Sequence, residues 1–136
     1  MLRRRDSYPP LTVDTGMFKG NAVMRRADKE MTDRAEIEAV INVADVCRIA
    51  MCDGDRPYIV PMHFGYENGT IYFHSAPEGR KIAVLGKNPA VSIEFDTDVR
   101  IIPDGNPCQW TTSYRSVIVT GAASFIETPV DKAAAL

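Results

Sequence analysis

Residues 58–75 read YIVPMHFGYENGTIYFHS, two runs rich in β-branched and aromatic residues on either side of Asn68-Gly69. Asn-Gly between alternating apolar residues is the strongest short-range hairpin signal, because both turn residues accept the positive φ of a type I′ turn. A two-residue loop sets Glu67 opposite Thr70. Counting outward puts Tyr66 opposite Ile71, Gly65 opposite Tyr72, Phe64 opposite Phe73, and His63 opposite His74, the chain's only two histidines. The same alternation sends Met62, Phe64, Tyr66, Ile71 and Phe73 to one face and Pro61, His63, Gly65, Tyr72 and His74 to the other. The first set is a core face. The second, with a gap at Gly65, suits a flat ligand or a second subunit.

Upstream, VCRIAM and the Asp53-Gly54 turn signal extend this hairpin into a three-strand meander. Before it, Asp33 and Glu36 resemble a capping box, and Ile37, Val40, Ile41 and Ala44 recur at helical spacing, predicting a helix over 33–45. Residues 1–20 show neither period and contain Pro9-Pro10, so an extended or mobile arm is expected there, ahead of a single domain over 21–136.

Downstream, a short helix over 78–86 ends at Asn88-Pro89, and AVSIEF resumes strand alternation with Val91, Ile93 and Phe95 on one face. The loop VRIIPDGNPC leads into WTTSYRSVIVTGAASFI, long enough for one strand that bends at Gly121 or for two. Thr128-Pro129 looks like the start of a helix that stops after about two turns, as expected of a truncated chain. At least five strands, two or three helices and tight turns argue a small antiparallel β-barrel with helices at its ends or flanks.

Composition agrees with one globular domain. The 136 residues are 45% hydrophobic and 25% charged, with nine Gly and nine Pro. A chain this long buries roughly two-thirds of its unfolded surface, enough for a core without metal or disulfide staples. A net charge of −2 gives no global case for nucleic acid or an anionic membrane. Arg3-Arg4-Arg5 lacks the apolar segment of a secretory signal, and no apolar run approaches the roughly 20 residues of a membrane span, so a cytoplasmic protein is expected. Cys47, Cys52 and Cys108 are an odd number without secretory context, which reads as buried small hydrophobes rather than a disulfide framework. On a strand, Cys47 and Cys52 face opposite ways.

The chemistry concentrates in residues 71–85, IYFHSAPEGRKIAVL. Arg80 and Lys81 fall in the first turn of the expected helix, where free N–H groups and the helix dipole favour an anion. Ser75 adds a hydroxyl and His74 a ring at the end of the preceding strand. A basic pair at a helix start is by itself usually a solvated face. Joined to His74-Ser75, it reads as a grip for the phosphate of a nucleotide-like cofactor.

The block from VCRIAM to SIEFD, with FHSAPEGRK, PCQW and SYRSVIVTGAASFI, resembles the nitroimidazole-resistance branch of the pyridoxamine 5′-phosphate oxidase-like flavoproteins, over roughly residues 22–136. The resemblance implies a mainly β, six-stranded antiparallel Greek-key split β-barrel with flanking α-helices, homodimeric, with FMN in grooves at the subunit interface. It assigns backbone contacts with the flavin ring to Ile59, Val60 and Pro61, and phosphate and ribityl contacts to His74, Ser75, Arg80 and Lys81. SYRSV should cross near the same groove, which adds Trp110, Tyr114 and Arg115. Trp110 and Tyr114 equally suit core or dimer packing, and Arg115 an ion pair. No counterpart is found of the oxidase's C-terminal substrate-binding basic residues, which argues against pyridoxamine phosphate oxidation.

The expected activity is FMN-dependent electron transfer, from NAD(P)H or another donor to a small acceptor such as a nitroaromatic. His74 or His63 would supply the proton, since imidazoles exchange protons near neutral pH. Two alternatives stay open: a flavin carrier or sensor without turnover, and a haem- or deazaflavin-binding barrel in which His63 and His74 serve as axial ligands.

Overall fold

The computed structural model describes residues 11–14 and 24–126. Its strands are β1 (Leu11–Asp14), β2 (Cys47–Asp53), β3 (Arg56–Met62), β4 (Gly65–Glu67), β5 (Thr70–Phe73), β6 (Ala90–Ile102) and β7 (Thr111–Phe125). The helices are α1 (Arg34–Val43) and α2 (Arg80–Lys87), with single 3-10 turns at Ala27–Lys29 and Pro107–Gln109. The expected C-terminal helix start at Thr128-Pro129 lies outside the described residues.

All described pairings are antiparallel, in the order β3-β2-β6-β7-β1-β5-β4. The two ends of this order, β3 and β4, are consecutive in the chain and joined only by His63 and Phe64. A flat seven-stranded sheet would hold its edges about 29 Å apart. Three Cα–Cα steps from Met62 to Gly65 span at most about 11 Å. The sheet must therefore curl until the Met62 end of β3 lies close to the start of β4, which makes a barrel left open along β3.

This closure corrects the expected meander. The hairpin register around Asn68-Gly69 is as expected, Glu67 opposite Thr70, Tyr66 opposite Ile71 and Gly65 opposite Tyr72, with Asn68 and Gly69 at φ 49° and 83°. The ladder stops there. β4 begins at Gly65 and β5 ends at Phe73, so His63 and His74 do not form the expected cross-strand pair. Up to Met62 the chain pairs with β2, and from Gly65 it pairs with β5.

Among the described residues there are also seven strands rather than six. Within the stretch expected to be an arm, β1 lies between β5 and β7, and both Leu11 and Val13 are fully buried. β7 is one continuous strand of 15 residues.

The barrel interior collects Leu11, Val13, Ile49, Met51, Ile71, Phe73, Val91, Ile93, Phe95, Val117 and Val119. Phe64 meets Phe95 edge-on, with centroids 4.8 Å apart. α1 adds Val40 and Ile41 against β6 and β7, and α2 adds Val84 and Leu85 next to β2. α1 starts as expected: the Asp33 side chain accepts from Ala35 N at 3.0 Å. Among the described residues no helix is long and apolar enough to cross a membrane.

Candidate functional site

Leaving β5 at Phe73, the chain passes exposed His74 and then Ser75, the only buried polar or charged side chain among the described residues. Gly79 then precedes α2 with φ 121°, a conformation that side chains beyond glycine rarely adopt. No side chain caps this helix start. The donors of its first turn thus lack a side-chain acceptor, at the positive end of the helix dipole. A Cβ at Gly79 would meet nothing within 4 Å, so the approach to these donors is open.

The two cations of the first turn behave differently. Lys81 is half-buried, and burial holds its pKa below the ordinary lysine value. Its Nζ lies 3.3 Å from Met62 Sδ and has no carboxylate partner among the described residues. Arg80 donates from Nε and Nη2 to Asp53 Oδ2, at 3.2 and 3.0 Å, and its guanidinium stands 4.3 Å from the centre of the Tyr58 ring. Asp53 and Tyr58 carried no functional signal in the sequence. Asp53 reads as half of a turn and Tyr58 as one residue of an alternating strand, and neither is within 20 residues of Arg80.

β3 runs beside this junction as the edge of the sheet, paired only with β2 among the described residues. An edge strand leaves alternate backbone groups unpaired. Ile59 and Pro61 are exposed on the outer face, and Val60 turns half-buried toward the core. His63 is exposed at the bend into β4. Arg80 and Lys81 thus reach β3 at Tyr58 and Met62, which share the core-facing side of the strand with Val60, while Ile59 and Pro61 point to the other side.

Trp110, Tyr114 and Arg115 are elsewhere. The register of β6 against β7 slips by one residue between Thr97 and Arg100, where Asp98 has φ 57°. Arg115 Nε and Nη2 donate to Asp98 Oδ2 at 2.8 and 2.5 Å, so this arginine serves an ion pair at the slip. Trp110 donates from Nε1 to the Asp104 carbonyl at 2.8 Å and is half exposed. Tyr114 points to the same outer face as Ile118 and Ile59, all more than half exposed. From Ile59 that face crosses Ala50, Ser92 and Thr120, about 14 Å over three strand spacings. At its centre Arg48 pairs with Glu94 at 3.3 Å and with Asp96. A cleft of ≈ 760 Å³ opens between residues 24–31 and β7, lined by Arg25, Arg26, Lys29, Tyr114 and Arg115, and not by the α2 junction.

Of the cysteines, Cys47 is buried as expected, but Cys52 and Cys108 are exposed. Cys47 and Cys52 do face opposite ways, because β2 alternates.

The curled antiparallel sheet, with an open helix start beside its edge strand, defines a split-barrel protein with a candidate anion site. The chain belongs to the pyridoxamine 5′-phosphate oxidase family, whose sequence model matches residues 33–136. An uncharacterised protein of Rhizobium meliloti (strain 1021) is 35% identical over 88 residues, 65% of this chain and 51% of that protein. Among solved structures, a putative 5-nitroimidazole antibiotic resistance protein from Bacteroides thetaiotaomicron is 38% identical with a TM-score of 0.68, over 77% of this chain and 63% of the other. A FAD-binding protein from Mesorhizobium loti is 28% identical with a TM-score of 0.51, over 66% and 57%. A flavocytochrome from Azotobacter vinelandii, 19% identical with a TM-score of 0.72 over 82% and 52%, shares the fold. The chain thus spans about half the length of its curated relative and under two-thirds of each of these solved chains.

Proposed function

We propose that this chain binds FMN, as one half of a homodimer, and serves electron transfer to a small acceptor such as a nitroaromatic. The observation that carries the reading is the uncapped start of α2, open at Gly79, with carboxylate-free Lys81 in its first turn. Those residues fit a phosphate: backbone donors, a positive dipole end and one ammonium converge from a single helical turn. The free edge of β3 at Ile59–Pro61 offers backbone groups to the edge of a planar ring. Membership of the family, together with similarity to a FAD-binding protein and to a nitroimidazole-resistance protein, supports the same choice of ligand.

When bound, the flavin supplies the redox chemistry, taking electrons from a donor such as NAD(P)H and passing them on. The chain's own residues bind, orient and manage protons. Lys81 and the first-turn donors hold the phosphate, Ser75 and His74 border it, and β3 fixes the ring. Exposed His74, next to the junction, is the nearer candidate to deliver a proton to reduced product, with His63 at the β3–β4 bend as the other.

Trp110 and Tyr114 enter this reading through the second copy. Within one chain they sit at the far end of the outer face from the α2 junction. A partner laid on that face would bring its own pair toward the groove.

The test is a visible spectrum of the purified protein, followed by FMN titration of wild type, Lys81→Ala and Lys81→Arg. Absorbance near 450 nm is expected of a flavoprotein, with affinity falling at least tenfold in Lys81→Ala and partly restored in Lys81→Arg. A protein that takes up no FMN overturns the reading. Turnover of a nitroaromatic with NAD(P)H then separates an enzyme from a carrier.

A further inference from the structure

The two cations expected to share one phosphate reach in different directions. Arg80 turns back to Asp53 and Tyr58, at the hairpin end of β3. Lys81 reaches Met62, at the other end of the same strand. Tyr58 and Met62 are four residues apart, about 13 Å along a strand. A monophosphate that accepts from both cations through different oxygens needs them within roughly 8 Å of one another, two hydrogen-bond lengths plus the separation of its oxygens. One side chain has to move. Lys81 is half-buried over the barrel, whereas Arg80 is exposed and its acceptor Asp53 is partly exposed, so Arg80 is the one free to swing.

We propose that the Asp53 carboxylate is an internal competitor for the ligand phosphate at Arg80, so that a phosphorylated ligand binds by exchanging with it. This rests on the α2 junction being the phosphate site. Asp53 takes both donors of one guanidinium edge through a single oxygen, Oδ2. A phosphate offers three acceptor oxygens and more charge, with the helix start behind it, so it outcompetes a surface ion pair. A ligand without phosphate has nothing to exchange and leaves the Asp53–Arg80 pair in place. Asp53 thereby tunes how strongly the site prefers phosphorylated over unphosphorylated ligands. Its carboxylate stands on the last residue of β2, opposite Arg56 at the start of β3, so the exchange also frees Arg80 from Tyr58 on that strand.

The deciding variant is Asp53→Asn, which keeps the side chain's size and leaves the two loop residues, Gly54 and Asp55, untouched, since position 53 closes the hairpin opposite Arg56. FMN and riboflavin are titrated by fluorescence quenching into wild type, Asp53→Asn, Arg80→Gln and the double variant. FMN should bind about three- to tenfold more tightly to Asp53→Asn, with riboflavin unchanged, and the gain should vanish in the Arg80→Gln background. Unchanged or weaker FMN binding in Asp53→Asn, with wild type binding FMN well, overturns the competitor role alone and makes Asp53 a group that orients Arg80. Failure of wild type to bind either flavin overturns the FMN reading and this inference with it.

Discussion

Cys47 shows how one residue's surroundings set its chemistry. It sits on the inner face of β2, and burial pushes its thiol pKa up from 9.0 to about 11. Thiol labelling of native protein should therefore modify Cys52 and Cys108, with the third cysteine reacting only after denaturation. The same shift has a pH consequence. Between about pH 9 and 11 the unfolded thiol is ionised while the folded one still holds its proton, so folding stability falls as pH rises through that window. Urea melts across that range should show a shallower decline in Cys47→Ala than in wild type. Residue types were legible in the sequence here, and so was the opposite facing of Cys47 and Cys52. What was not legible was that Arg80 and Lys81, adjacent in the chain, would find partners at opposite ends of β3.

At the scale of elements, periodicity and capping chemistry located α1, α2 and the β4–β5 hairpin within a residue or two. They failed where a strand is short or changes partner. LTVD, following Pro9-Pro10, has too few residues for a period to stand out, yet as β1 it fills the gap between β5 and β7. Because Leu11 is fully buried there, Leu11→Ala should cost about 2–5 kcal/mol, seen as a lower urea midpoint at unchanged slope. A midpoint shift under 0.5 kcal/mol would show that this strand is dispensable. The break at His63-Phe64 was hidden for another reason. Met62, Phe64 and Tyr66 keep pointing toward the core on both sides of it, so the alternation runs on while the neighbour changes from β2 to β5.

For the whole molecule, the outer face of β3-β2-β6-β7 has the largest consequence. Ile59, Val99, Ile101, Tyr114 and Ile118 are each more than half exposed, and the face also carries the Arg48 ion pairs with Glu94 and Asp96, a mix of apolar and paired charged groups that suits a second subunit. Light scattering after size exclusion should give twice the chain mass at micromolar protein. Placing a second acid directly opposite Glu94 with Ile118→Glu should weaken self-association at least tenfold and reduce FMN uptake in parallel. A monomeric wild type with full FMN binding would separate the groove from any dimer.

The sequence by itself determined the local alphabet of this protein: two helices, the Asn68-Gly69 hairpin and its register, and the apolar side of the strands around that hairpin and of the AVSIEF stretch of β6. These follow from turn chemistry and side-chain period, which act over a handful of neighbouring residues. It also carried the family resemblance that the comparisons bear out. Only the tertiary structure decided that β1 belongs inside the sheet, that the two histidines do not pair, and that Arg80 is held by Asp53 while Lys81 is not. Those outcomes depend on partners 27 to 112 residues away, as for Arg80 with Asp53 and Thr12 with Ser124. Such partners meet only when strands and helices distant in sequence are brought side by side, β1 against β7 and α2 against β2, and no local stretch of sequence contains those pairings.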